Sequence, residues 1–292
     1  FNEVPETIIV TEPRYLKAFS EIFNEAKLEQ YKHWAYLNCL LRSSALLSEQ
    51  AREMGSMFQR ALMGIQVVTP IEKFSYQLAG QFYSEPVGLY YGEKYFGEEA
   101  KKDVVDMVYN IIDTYKSRIQ KNDFLEEQTK EKAILKLSTM RVKMGYPDKV
   151  DPIYQELVYD ESKSLFENVC SFKKTLTLYN FSKLNKEVDR DEWVMAGNTV
   201  NACYNPFTND ITFPAAILQA PFYSIKQTLS ENLGGIGAVI AHEVSHAFDN
   251  NGAHFENAVA QQLLANGFKP YYFKKKICVN RLRECKINAD TL

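Results

Sequence analysis

The residues of this 292-residue chain best suited to chemistry are two histidines four apart with a glutamate after the first, His242-Glu243-Val244-Ser245-His246. On an α-helix, positions i and i+4 share a face, so both imidazoles can reach one metal ion. Glu243 sits beside the first ligand, where its carboxylate can reach a water on the metal and not the metal itself. A zinc ion with three protein ligands keeps its fourth position for water and lowers that water's pKa to about 7. The carboxylate can then take the proton as water attacks a peptide carbonyl and deliver it to the leaving amine. An HExxH string also arises by chance, so the surrounding sequence must carry weight.

That context is favourable. The motif follows Ile236-Gly237-Ala238-Val239-Ile240-Ala241, an apolar run of the kind an interior helix has, and it holds two of the chain's four histidines. Asp249, three residues after His246, can accept a hydrogen bond from a ligating imidazole and orient it. A solvated acid near the helix end is the alternative for Asp249. His254 has no ligand spacing to the pair and reads as a surface histidine, and His33 beside Trp34 reads as structural. A metzincin would place Gly at 249 and His at 252, whereas this chain has Asp249 and Gly252. A gluzincin, whose third ligand is a glutamate on a later helix, remains.

The elements that must position these residues are mostly helical. Apolar groups recur at three- and four-residue intervals from about Glu12 to Leu62, from Lys101 to Ile119, from Thr129 to Met140 and from Asp160 to Asn185. Gly145-Tyr146-Pro147-Asp148 reads as a turn. The period changes at 198–213, where Thr199–Tyr204 and Asp210–Phe213 read as two short strands around a loop. A helix is expected from about Ser230 to Asn250, with Gly252 as its stop. Glycines 234, 235 and 237 weaken its first turns and would allow close backbone approach in a buried helix.

Composition sets the outer bounds. The chain is 46% apolar and 24% charged, as in ordinary globular proteins, and is long enough for one large domain or two modest ones. A net charge of −3 gives no reason to expect nucleic acid or an anionic membrane as partner. No stretch has the length of a membrane span, and the first residues show no signal peptide. Five scattered cysteines do not form a disulfide framework, and reduced thiols in a cytoplasmic protein are the expectation.

Several segments together resemble the neprilysin family of zinc endopeptidases. Asn201-Ala202-Cys203-Tyr204, then Ile211-Thr212-Phe213-Pro214-Ala215-Ala216-Ile217-Leu218-Gln219, and Gly234 through Asp249 match its signatures in order. Gly145-Tyr146-Pro147-Asp148, Asp191-Glu192-Trp193 and Gly88-Leu89-Tyr90 also fit, and the few cysteines look more like the bacterial PepO-type members. The resemblance implies a mainly α fold, with a thermolysin-type catalytic core, a short β-hairpin or edge strand beside the HExxH helix, and part of a helical capping domain. It implies residues 1–75 in the capping domain, 76–255 in the catalytic domain and 256–292 as a divergent tail. His242 and His246 correspond to zinc ligands, Glu243 to the general base, and Asp249 to an acid near the second ligand. Asn201 and Ala202 match the edge-strand pair that holds an extended substrate, although Asn201 could instead cap a turn. Cys203, where the family carries an aromatic residue, reads as a small core residue. The implied substrates are oligopeptides, cut on the amino side of large apolar residues.

The resemblance is lost after Phe255. The family's E-N-x-x-D motif, which carries the third ligand, has no counterpart, and the only later glutamates are Glu256 and Glu284. The catalytic His and substrate-carboxylate Arg near the family's C-terminus are also missing. The expectation is an internal piece of a longer peptidase, with 256–292 out of frame or diverged. The competing expectation is an inactive remnant without its third zinc ligand.

Overall fold

The computed structural model describes residues 12–184, 186–249 and 252–254. The tail, with Glu256 and Glu284, lies outside the described residues. The chain divides into two compact units, one comprising Phe1–Leu78 with Gln155–Ser182 and the other Ala79–Tyr154 with Lys183–Leu292.

The first unit is helical: α1 (Pro13–Ile22), α2 (Leu28–Ser43), α3 (Glu49–Met63), most of α4 (Ile71–Phe82) and, from the returning segment, α8 (Leu165–Ser182). The run expected from Glu12 to Leu62 is thus three helices, interrupted by single 3-10 turns at Glu25–Lys27 and Ser44–Leu46. Local chemistry sets the ends. The Glu12 carboxylate accepts from Arg14 N at the start of α1, and Ser48 Oγ accepts from Ala51 N at the start of α3. Gly64, at φ +67°, closes α3 in the left-handed conformation that costs glycine little.

The second unit contains α5 (Ser84–Tyr95), α6 (Gly97–Gln120), α7 (Glu127–Ser138), α9 (Leu229–Asn232) and α10 (Ala238–Ser245), around a three-stranded sheet. The strands are β1 (Arg141–Gly145), β2 (Cys203–Asn205) and β3 (Asp210–Pro214), in the order β1-β3-β2. β3 runs parallel to β1 and antiparallel to β2, which leaves β2 at an edge. The central β3 is buried throughout, as expected for a strand covered on both faces. Val104, Met107, Val108 and Ile112 of α6 follow helical spacing and pack with Met144, Ile211 and Phe213 of the sheet. Ile236, Ile240 and Val244 join the same core from the motif side. This burial decides which face of α10 turns outward.

Three local expectations shift. β1 fills the interval between the helix expected to end at Met140 and the turn expected from Gly145, where no element was expected. β2 begins at Cys203 and not Thr199, because Thr199 N bonds Ala196 O in a turn and Ala202 N bonds the Asn201 side chain. The motif helix starts with a Thr228/Glu231 capping box, passes through a π-helical turn at Leu233–Gly237 and ends at Ser245. There the bonds tighten: the N–H groups of His246, Ala247 and Phe248 reach carbonyls three residues back. Of the glycines, Gly235 makes the close approach, since a Cβ there would lie 2.3 Å from Phe222 O. The mainly α fold with a hairpin beside the HExxH helix is the one observed.

Candidate active site

The two motif histidines project from the last turn of α10, opposite the face that buries Ile240 and Val244. Their Nε2 atoms are 3.1 Å apart. Among the described residues, His242, Glu243 and His246 bring ligand atoms within 4.8 Å of one another. Two Zn–N bonds of about 2.05 Å spanning a tetrahedral angle separate their nitrogens by about 3.3 Å, so the pair fits a zinc ion. His242 is exposed, His246 is half-buried and Glu243 is 7% exposed.

His246 is oriented from behind. Its Nδ1 donates to Asp249 Oδ2 at 2.7 Å, which leaves Nε2 for a metal. Asp249 Oδ1 accepts from Gly252 N at 2.6 Å. The structure thus joins Asp249 to the second histidine. The helix is also held from α6, where Tyr115 OH donates to Ala241 O at 3.0 Å.

Beside Glu243 and His246 lies a cavity of about 390 Å³, within the ordinary range for ligand sites. Ala202, Cys203, Tyr204 and Pro206 line it from the hairpin, and Glu243, His246, Asp249 and Gly252 from the motif and the residues after it. Ala202 thus borders the same cavity as the motif, whereas His242 is not among the lining residues. Asn201 is exposed, and its Oδ1 accepts from Ala202 N at 2.9 Å. It neighbours the cavity in sequence and is not among the lining residues.

The chemistry around the cavity is acidic. Burial, reinforced by the Asp210 and Glu243 carboxylates, pushes the Cys203 thiol up. Burial also raises the Tyr204 hydroxyl well above its usual range, with Asp210 and Asp249 adding to the effect. Asp210 is fully buried and paired with Lys143 at 3.0 Å, with Thr208 and Thr212 hydroxyls on its oxygens.

Reading the sequence missed Lys136 and Asn209. Lys136, on α7, donates from Nζ to Ala247 O at 2.8 Å and Gly252 O at 2.7 Å, behind the motif. Asn209, at φ +51° before β3, donates to Lys136 O and accepts from Tyr204 OH. A signal for Lys136 was present, because it falls among Ala133, Leu137 and Met140 at helical spacing on an apolar stripe.

Comparison with known proteins agrees with the geometry. Residues 1–147 and 201–290 match peptidase family M13. The chain belongs to this family. The second match continues past Phe255, where resemblance by motif was lost. The chain is 46% identical over 254 residues to a neutral endopeptidase of Lactobacillus helveticus, covering 87% of this chain and 39% of the relative. It is 33% identical over 260 residues to human neprilysin, covering 86% of this chain and 34% of the relative. The crystal structure of PepO from Lactobacillus rhamnosis superposes with a TM-score of 0.78 at 36% identity, over 89% of this chain and 44% of that one. The chain thus spans well under half the length of these relatives. By this kinship its fold is neprilysin-like. Among the described residues no helix is long and apolar enough to cross a membrane.

Proposed function

We propose that this chain supplies the HExxH part of a zinc endopeptidase site that hydrolyses peptide bonds of oligopeptides. The observation that carries the reading is the pair of imidazole nitrogens 3.1 Å apart, with His246 and the buried Glu243 lining the adjoining cavity. His242 and His246 would hold the ion through Nε2. When bound, zinc supplies Lewis acidity that polarises a peptide carbonyl and acidifies water. Glu243 takes the proton from the attacking water at its carboxylate and returns it to the leaving amine. Asp249 keeps the His246 ring in the orientation and tautomer that present Nε2. Ala202, with Asn201 beside it, offers backbone groups before an edge strand, which supports a seat for an extended peptide.

The division near Leu78 supports a boundary between a capping part and a catalytic part close to residue 75, while Gln155–Ser182, inside the expected 76–255 range, groups with the first unit. The free thiols of Cys39, Cys170 and Cys203 favour a reducing compartment such as the cytoplasm. A second reading has its own support. The metal-binding group among the described residues offers two histidines besides the base, and two ligands hold zinc weakly. In that case the chain is a catalytically inactive piece that lacks its third ligand.

Metal content and cleavage of a quenched fluorescent peptide discriminate the two. Stoichiometric zinc with hydrolysis, and a loss of at least about a thousandfold in kcat for Glu243→Gln with zinc retained, are expected of the enzyme. Zinc-free protein without hydrolysis would leave the inactive piece.

A further inference from the structure

Lys136 belongs to α7, far in sequence from the motif, yet its ammonium lies directly behind it. It is buried, and it donates to Ala247 O and Gly252 O, the carbonyls that bracket Asp249. Asp249 in turn receives Gly252 N and His246 Nδ1. The segment is also tight, because a Cβ at Gly252 would fall 1.9 Å from His246 O. On its other side, the Lys136 carbonyl accepts from Asn209 Nδ2 at 2.9 Å, and Asn209 Oδ1 accepts from Tyr204 OH at 3.0 Å. Tyr204 lines the cavity. One residue thus connects the hairpin wall of the cavity to the end of the histidine helix.

We propose that Lys136 is a positioning residue that fixes the segment after α10, and through Asp249 the orientation of the His246 ring. Its ammonium supplies donors to one carbonyl just past the end of the helix and to another at Gly252, either side of Asp249. An ion can meet two carbonyls about a bend from one point, where a single backbone N–H cannot. A fixed Asp249 then holds His246 in one orientation, which lowers the ordering cost of metal binding. The bearing on metal rests on the zinc reading above; the bearing on the segment does not.

Lys136→Met keeps the apolar stem and removes the ammonium. In the metal-free chain, amide hydrogen exchange at Gly252 and Ala253, both bonded to Asp249, should quicken about tenfold or more, while the β1–β3 ladder is unchanged. With zinc, competition against a chromophoric chelator should show affinity weakened roughly tenfold to a hundredfold. Asp249→Ala should show a similar loss, and the double variant should be no worse than the poorer single one, because the two act in series. If Lys136→Met does not fold, Lys136→Gln, which keeps a shorter N–H donor, should give the same changes at smaller amplitude. Unchanged exchange at Gly252 and Ala253, equal acceleration throughout the sheet, or additive losses in affinity would each overturn the proposal. If the unaltered chain takes up no zinc, the zinc reading fails, while the exchange result still decides the role of Lys136.

Discussion

Glu243 and Cys203 border one cavity and illustrate how environment sets neighbouring groups apart. The glutamate is buried yet borders open space, which suits the proton-acceptor role proposed for it. The cysteine borders the same space, but burial and two carboxylates hold its thiol in the protonated form. A thiol with a raised pKa presents little thiolate at neutral pH, and the fraction grows only as pH rises towards the shifted value. Cys203 should therefore react with iodoacetamide several-fold more slowly at pH 8 than exposed Cys39 and Cys170, as mapped by peptide mass spectrometry. Equal rates at all three would contradict the described environment. At this scale the sequence was most legible where one short stretch of chain, the end of α10 and the turns after it, carries the constellation. His242, Glu243, His246 and Asp249 fall within eight residues, so helical spacing alone relates them. Lys136 acts across 111 and 116 positions of chain, and no local pattern encodes such a contact.

Among the elements, the motif helix is the least regular where it is most constrained. Its π-helical turn coincides with Gly234, Gly235 and Gly237, and Ile236 N bonds Phe222 O at 2.8 Å. Gly235→Ala would drive a methyl group against that carbonyl, which belongs to backbone and cannot rotate aside. We expect it to destabilise the chain by about 1–3 kcal/mol in urea titration, and Gly234→Ala, where a Cβ meets open space, to cost much less. Long amphipathic helices such as α6 were legible because a 3.6-residue period repeats over many turns. β1 was not, because Arg141-Val142-Lys143-Met144-Gly145 is short and carries two cations. One of them, Lys143, is accepted in the sheet because Asp210 meets it from β3, 67 residues on, and the Glu192 carbonyl accepts from it as well. The strand is specified by its partner, which a local reading does not see.

For the molecule as a whole, two units differ in what they bury. The second gathers its core around β3 and the motif helix. The first leaves large apolar side chains of α2 and α3 exposed, Tyr36 and Phe58 at 75% and 78% among them. Each unit contains one of the chain's two tryptophans, Trp34 and Trp193. On the proposed zinc reading, metal held by α10 would stabilise the unit that contains it, by about 2.7 kcal/mol at a hundredfold excess over Kd. Adding a chelator should therefore lower the melting temperature followed by Trp193 fluorescence in Trp34→Phe protein. The transition followed by Trp34 in Trp193→Phe protein should move less. Equal shifts would show that the two units melt as one.

The edge strand β2 has a last consequence. An open edge is a template on which any extended chain, including another copy of this one, can polymerise. β2 is three residues long, and Pro206 follows it without an N–H to offer. So short a ledge gives a visiting strand few ladder bonds, and it resists the runaway stacking that a longer flat edge would invite. What settles there for long must be chosen by its side chains.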